Sequence, residues 1–204
     1  MRKILLTLSL VAAAAVPALA QTIPGSVNVS AVVPGTYTAD GRHTQVAWTV
    51  NHLGFSLYHG LFGNASGSLT IDPAQPNAAK VTVSFPIADV VTTVDALNKH
   101  IAAPDMFDAA KYPTGSFTSI KVTVNGTHAT IDGNLTLKGV TKPVSLAATF
   151  TGVGTNPLNK AATGGFQAKG SIKRSDFGIS YLLPALGDQV DLDITAAFEK
   201  KPAA

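Results

Sequence analysis

Three histidines, His43, His52 and His100, are the side chains of this chain best suited to acid–base or metal chemistry. His52 follows Val46, Trp48 and Val50 with the same alternating parity, which sends it toward the core side of a strand or its rim. His43 stands at a strand entrance and His100 on a helical stretch, from where both can approach it. Three imidazoles in one place suffice for a zinc site with an open position, or for a general base. Their spacing matches no ligand pair such as histidines four apart on a helix, and hydrogen-bonded structural roles account for them more simply. His59 and His128 read as surface positions. Asp105 and Asp108 flank Met106-Phe107 and follow Pro104, a pattern of helix capping rather than of paired acid and base. Asp191 and Asp193 alternate with Val190, Leu192 and Ile194 and so face solvent. There is no G-x-S-x-G elbow, phosphate loop or G-x-G-x-x-G. An enzyme using His43, His52 and His100, with or without a metal, stays as an alternative that no motif supports.

The elements that must carry these residues are strands. Val46, Trp48 and Val50 alternate with polar neighbours, and Phe55 and Leu57, continued by His59 and Leu61, make a second run after Gly54. Leu69 and Ile71 form a third and Val81, Val83, Phe85 and Ile87 a fourth. Residues 89–115 break the pattern: Val94, Leu97 and Ile101 have helical spacing, and Pro104 separates them from a short DMFDAAKYP unit. Strands return at about 116–124, 128–137, 143–151, 165–173 and 189–198. Residues 133–146, GNLTLKGVTKPVSL, read as a hairpin turning at Lys138-Gly139, with Pro143 at the start of the returning strand or at a bulge.

About eight or nine short strands with few helices give a sandwich or a closed antiparallel barrel. Closure removes the exposed edges that such weakly charged strands would otherwise offer for aggregation, and it is the favoured reading. A barrel of about eight strands is just wide enough to be filled by side chains or to hold one small ligand. Ala148, Ala168, Gly170 and Ala196, all on expected inward faces, leave room for the second outcome. Tighter packing against large neighbours is the other reading of the same residues.

Composition sets the context. Residues 1–20 have the form of a cleaved signal peptide: Arg2 and Lys3, an apolar stretch of about 13 residues, shorter than the roughly 20 needed to span a bilayer, then Ala18-Leu19-Ala20. The chain has 0 cysteines, so disulfides and thiolate chemistry are excluded and an exported domain must rely on its core. Arg2 and Lys3 are two of only 15 basic residues, against 12 acidic ones, which leaves the remainder near neutral and argues against a nucleic-acid partner. Residues 21–35 carry no charge and hold Pro24, Gly25, Pro34 and Gly35, as a flexible linker or arm would. The remaining chain, residues 36–200, is expected to be one domain. It is 46% hydrophobic and 13% charged over the full length, which asks for a thick core or an apolar cavity.

Six segments in order resemble the YceI-like family of periplasmic polyisoprenoid-binding proteins, across most of residues 37–198. They are YTADGRHTQVAWTVNHLG at 37–54, Gly60 and Phe62 with Gly67, DMFDAAKYP at 105–113 with Phe117 and Ser119, the hairpin, RSDFGI at 174–179, and LGDQV at 186–190. The resemblance implies an all-β fold: a single antiparallel, eight-stranded, lipocalin-like barrel with a short helical insert at about 92–112. It implies a long apolar cavity that holds an isoprenoid lipid, either a polyprenyl chain or an isoprenoid quinone, for storage or transport in the periplasm, or secreted. No catalysis, metal or cofactor is expected beyond that non-covalent ligand. The partners expected are the lipid itself, transient membrane contact for its exchange, and at most a second copy of the chain. Cavity walls are expected from Trp48, Val50, Phe55 and Leu57 on the first strands, and from Phe85 on the fourth. Met106 and Phe107 would contribute from the insert, and Phe117, Ile131, Leu135 and Leu146 from the central strands. Phe166, Ile172 and Phe177 complete the expected set. Tyr58, Tyr112, Tyr181 and Arg174 are candidates to meet a head group at a mouth. A third reading keeps the barrel but fills it, making an envelope protein that works through its surface.

Overall fold

The computed structural model describes residues 23–200; the expected signal peptide at 1–20 lies outside them. Eleven strands follow one another: β1 (Gly35–Ala39), β2 (Gln45–His52), β3 (Ser56–Phe62), β4 (Ser66–Ile71), β5 (Lys80–Pro86), β6 (Val90–Val91), β7 (Thr114–Asn125), β8 (His128–Leu137), β9 (Val140–Thr155), β10 (Ala162–Lys173) and β11 (Leu186–Lys200). One helix, α1 (Asp95–Ile101), interrupts them. β1, β4, β5, β7, β8, β9, β10 and β11 pair in that order, and β1 returns to β11, so the chain closes an eight-stranded antiparallel barrel. The barrel expected from weakly charged alternating strands is present, and closure leaves no free edge around that ring.

The barrel is longer than its short strands suggest, because three of its staves are each built from two pieces. β1 pairs with the C-terminal end of β11 at Phe198 and Glu199, while β2 pairs with the same strand further down, from Leu186 to Thr195. β3 leads into β4 in the same way, and a 3-10 turn at Ile87–Asp89 joins β5 to β6. The break between β1 and β2 is stitched to β11 by Thr44. Its buried hydroxyl donates to the Ala197 carbonyl and accepts from the Ala197 N–H, replacing ladder bonds lost at the kink.

β6 pairs only with β3, which leaves a gap in the wall beside β7. The helical insert fills it. A helix as short as α1 has little stability of its own, so packing must hold it. Ile101 is buried in one cluster with Phe62, Phe85, Leu135 and Leu137, and Met106 and Phe107 pack against that cluster. Asp95 in the first turn and Lys99 and His100 in the last agree with the helix dipole. No side chain caps the N-terminus of α1; instead the Asn98 carboxamide oxygen accepts from the Thr92 N–H and hydroxyl.

The hairpin expected at residues 133–146 forms β8 and β9, with Leu137 opposite Val140 and both Lys138 (φ 49°) and Gly139 (φ 76°) in the left-handed region. A two-residue turn of that kind matches strand twist. Pro143 sits within β9 opposite Asn134. The segment before β1 is largely exposed but lies along the barrel. Ser26 exchanges two backbone hydrogen bonds with Val153, and the Tyr37 hydroxyl donates to the Val33 carbonyl at 2.7 Å.

Candidate functional site

Inside the barrel the registers stack side chains into belts. Ala129, Ala148, Ala168, Ile194, Val46 and Phe62 face one another in sequence across β8, β9, β10, β11, β2 and β3. Every one of them lines a single cavity of about 1190 Å³. Typical small-molecule pockets span roughly 300–1,000 Å³, so this one suits a large ligand. Three alanines on adjacent strands leave the space that larger residues would take. Val190, Leu192 and Ile194 on β11 keep partial accessibility although they point inward, because they border the cavity rather than other side chains. The barrel interior is hollow, and the solid-core reading fails on that point.

Trp48, Val50, Phe85, Met106, Phe107, Phe117, Ile131, Leu135, Leu146, Phe166 and Ile172 all border the cavity, as their parity and position suggest. Phe55, Leu57 and Phe177 do not. Phe55 is 87% exposed and Leu57 62% exposed, so the second alternating run points outward, not inward. The inward parity of β3 belongs to Tyr58, Gly60 and Phe62, set by the pairing of Val50 with Tyr58 and Trp48 with Gly60. A Cβ on residue 60 would overlap the Trp48 indole, which explains a glycine at the centre of a strand. Phe177 is buried in the 3-10 turn Arg174–Phe177 and packs in the core cluster with Ile101, Leu137 and Ile179 rather than against the cavity. Gly170 is inward but its space is occupied, since an added Cβ would lie 2.7 Å from Leu146 Cδ2. The lining also includes Ala129, in phase with Ile131 on β8, and Leu186 at the start of β11.

The cavity lining includes exposed residues at both ends of the barrel: Val29, Ser30, Gly126 and His128 at one, and His52, Ser56, Tyr181 and Leu182, with Tyr58 and His100 next to them, at the mouth beside the β2–β3 turn. His100 and Tyr181 meet edge to face with ring centroids 4.7 Å apart, and His100 Nε2 is 2.9 Å from Asp105 Oδ2. That contact holds the Asp105 carboxyl below its usual range. His43 pairs instead with Asp40, 2.5 Å away and far along the stave from His52. The three histidines are therefore not brought together, and among the described residues no group of three His, Cys, Asp or Glu side chains is placed to hold a metal. Trp48 Nε1 and the Tyr58 hydroxyl are buried in the β2–β3 wall without a hydrogen-bond partner. Tyr112 packs over Gly139 rather than at the mouth.

Arg174, buried at 5% exposure, also borders the cavity, and it acts as a loop anchor. Its Nε donates to the Gly187 carbonyl at 2.7 Å, Nη1 to Ile179 at 3.0 Å and Nη2 to Leu186 at 2.9 Å. Burial pulls its pKa down from the ordinary value, and the nearby Asp188 opposes that. Asp188 accepts from the Ser175 N–H and hydroxyl, which holds its carboxyl below the normal range. The loop leading to β11 is thus tied to the end of β10 by one guanidinium and one carboxylate.

The comparisons with known proteins agree with this geometry. The family model described as YceI-like domain matches residues 37–198. A UPF0312 protein of Pseudomonas putida (strain W619) is 40% identical over 157 residues, covering 76% of this chain and 81% of that protein. Protein YceI of Escherichia coli O6:H1 is 38% identical over 170 residues, 82% of this chain and 88% of its own. The crystal structure of the Campylobacter jejuni YCEI protein is similar with a TM-score of 0.65 at 32% identity, covering 74% of this chain and 90% of that one. A polyisoprenoid binding domain from Saccharophagus degradans shares the fold, with a TM-score of 0.56 at 16% identity over 81% of this chain and 98% of that domain.

Proposed function

The chain belongs to the YceI-like family, and from that premise we propose that its barrel binds an isoprenoid lipid, a polyprenyl chain or an isoprenoid quinone, and stores or carries it in the periplasm without catalysis. The observation that carries the reading is the cavity of about 1190 Å³ running inside the barrel between walls of Val, Leu, Ile, Phe and Ala. A branched hydrocarbon needs such walls and few polar partners. Each buried CH2 contributes about 0.8 kcal/mol, so several isoprene units offset the ordering cost of a long chain. A fold shared with a polyisoprenoid binding domain supports the same ligand class. Of the three histidines, His43 is held by Asp40 away from the mouth, while His100, paired with Asp105, and His52 lie at its rim.

Trp48 is the only tryptophan of the chain and borders the cavity, so it reports on occupancy. Titrating delipidated protein with a short-chain isoprenoid quinone is expected to quench its emission saturably. Unaltered emission across the titration removes the quinone reading; a saturable displacement by a polyprenyl alcohol instead points to the hydrocarbon chain as the recognised part.

A further inference from the structure

Four outward-facing residues on and beside the β2–β3 hairpin have no role in the cavity, yet they are large and apolar. Phe55 and Leu57 are 87% and 62% exposed at its tip, and Leu61 and Val91, which pair across β3 and β6, are exposed on the same face beyond the Thr49–His59 pair. Exposed apolar groups gathered on one side of a protein mark an interaction surface. Two leucines beside it break a local rule. Leu53 and Leu182 both have φ of 57°, a conformation that glycine or asparagine adopts more easily. Both are exposed, and Leu182 borders the cavity mouth. The two loops adjoin, since Leu186 pairs with His52 and donates back to the Leu182 carbonyl. Large apolar side chains kept at strained, exposed positions on one rim call for a partner that takes them up.

Charge identifies that partner. Residues 43–71, which span β2, β3 and β4, contain no Asp, Glu, Lys or Arg. Inserting this hairpin into a medium of low dielectric therefore desolvates no formal charge, whereas a charged tip would resist it strongly. Aromatic and leucine side chains on such a tip suit the headgroup–acyl boundary of a bilayer. His52 and Ser56, at the base of the same tip, border the cavity mouth. We propose that the β2–β3 hairpin tip, Leu53 to Leu57, together with Leu182, docks on a lipid bilayer and seats the barrel mouth against it. Lipid then enters or leaves without crossing water. The inference rests on the isoprenoid reading only in making the bilayer the source of the ligand.

The test is flotation of the purified protein with phosphatidylcholine vesicles on a density gradient, at low and high salt. It compares the wild type with Phe55→Ser/Leu57→Ser, and organic extracts are taken from both preparations. Wild type is expected to float at both salt concentrations, because apolar insertion is not screened. The double variant is expected to float about tenfold less or worse, given the apolar area removed, with an unchanged melting temperature and an unchanged extract. Equal flotation of the two proteins, or wild type left at the bottom, overturns the docking surface. So does a wild-type dimer that the double variant abolishes while vesicles are ignored, which makes the strip a contact between copies. A clean extract with flotation intact supports docking while removing the isoprenoid cargo.

Discussion

Arg174 illustrates how a single buried cation can be structural rather than chemical. It spends three nitrogens on the carbonyls of Gly187, Ile179 and Leu186 and thereby fixes the loop that carries Tyr181 and Leu182 at the cavity mouth. Arg174→Met leaves those acceptors without donors, and each buried orphan costs about 1–3 kcal/mol. The expected loss is about 3 kcal/mol or more in urea unfolding. Arg174→Lys is not expected to restore it, because one ammonium cannot reach three divergent carbonyls. Asp188 sets an acid limit on the same loop. Its folded pKa lies below the unfolded one of about 3.9, so its stabilisation is complete above that value and is lost as pH falls through the folded pKa. Melting temperatures measured from pH 6 downward are expected to drop for the wild type below about pH 4. Asp188→Asn should start lower and show less of that acid drop; an unchanged slope would mean the carboxylate does not hold the loop. At Gly60 the sign is steric. Gly60→Val drives a side chain into the Trp48 indole and is expected to cost about 1–3 kcal/mol, with an altered tryptophan emission maximum.

At the scale of elements, small residues on neighbouring strands make the cavity. Ala129, Ala148 and Ala168 lie side by side on β8, β9 and β10, so enlarging one narrows the belt without disturbing outer surface. Ala148→Phe is expected to cut bound lipid several-fold while the circular dichroism of the barrel is retained; unchanged content would place the ligand elsewhere. Gly170, which looks equivalent by parity, is a poor site for that experiment because Leu146 already fills the space. Most of this architecture was legible in the sequence, since β8 to β11 alternate over most of their length, β7 does so on either side of a bulge at Ser119–Lys121, and Lys138-Gly139 has the chemistry of a tight turn. β3 was not. It carries Leu57 and Leu61 on one face and Tyr58 and Phe62 on the other, so alternation cannot say which face is inside. The face is settled by a long-range term, the fit of the Trp48 indole over Gly60. The two-piece staves were hidden for a related reason, because a break in a strand and a hairpin loop look alike until a long partner such as β11 spans both halves. Phe177 followed its apolar type into the core, but the loop anchored by Arg174 turned it into the cluster with Ile101 and Ile179 instead of toward the cavity.

For the whole molecule, the closed ring, the insert that fills its gap and the apolar hairpin at the mouth describe a container with one polar-poor compartment. Closure and packing stabilise the wall, while the alanine belt withholds the side chains that would otherwise fill the inside. The consequence is a prediction about content rather than rate. Protein purified without detergent from a host that makes isoprenoid quinones is extracted with organic solvent, and the extract is analysed by mass spectrometry beside an equal extract of Ala148→Phe. A lipid-filled barrel predicts a polyprenyl compound, close to one per wild-type chain and strongly depleted in the variant. A wild-type extract with no polyprenyl compound, from protein whose folding is verified, contradicts it.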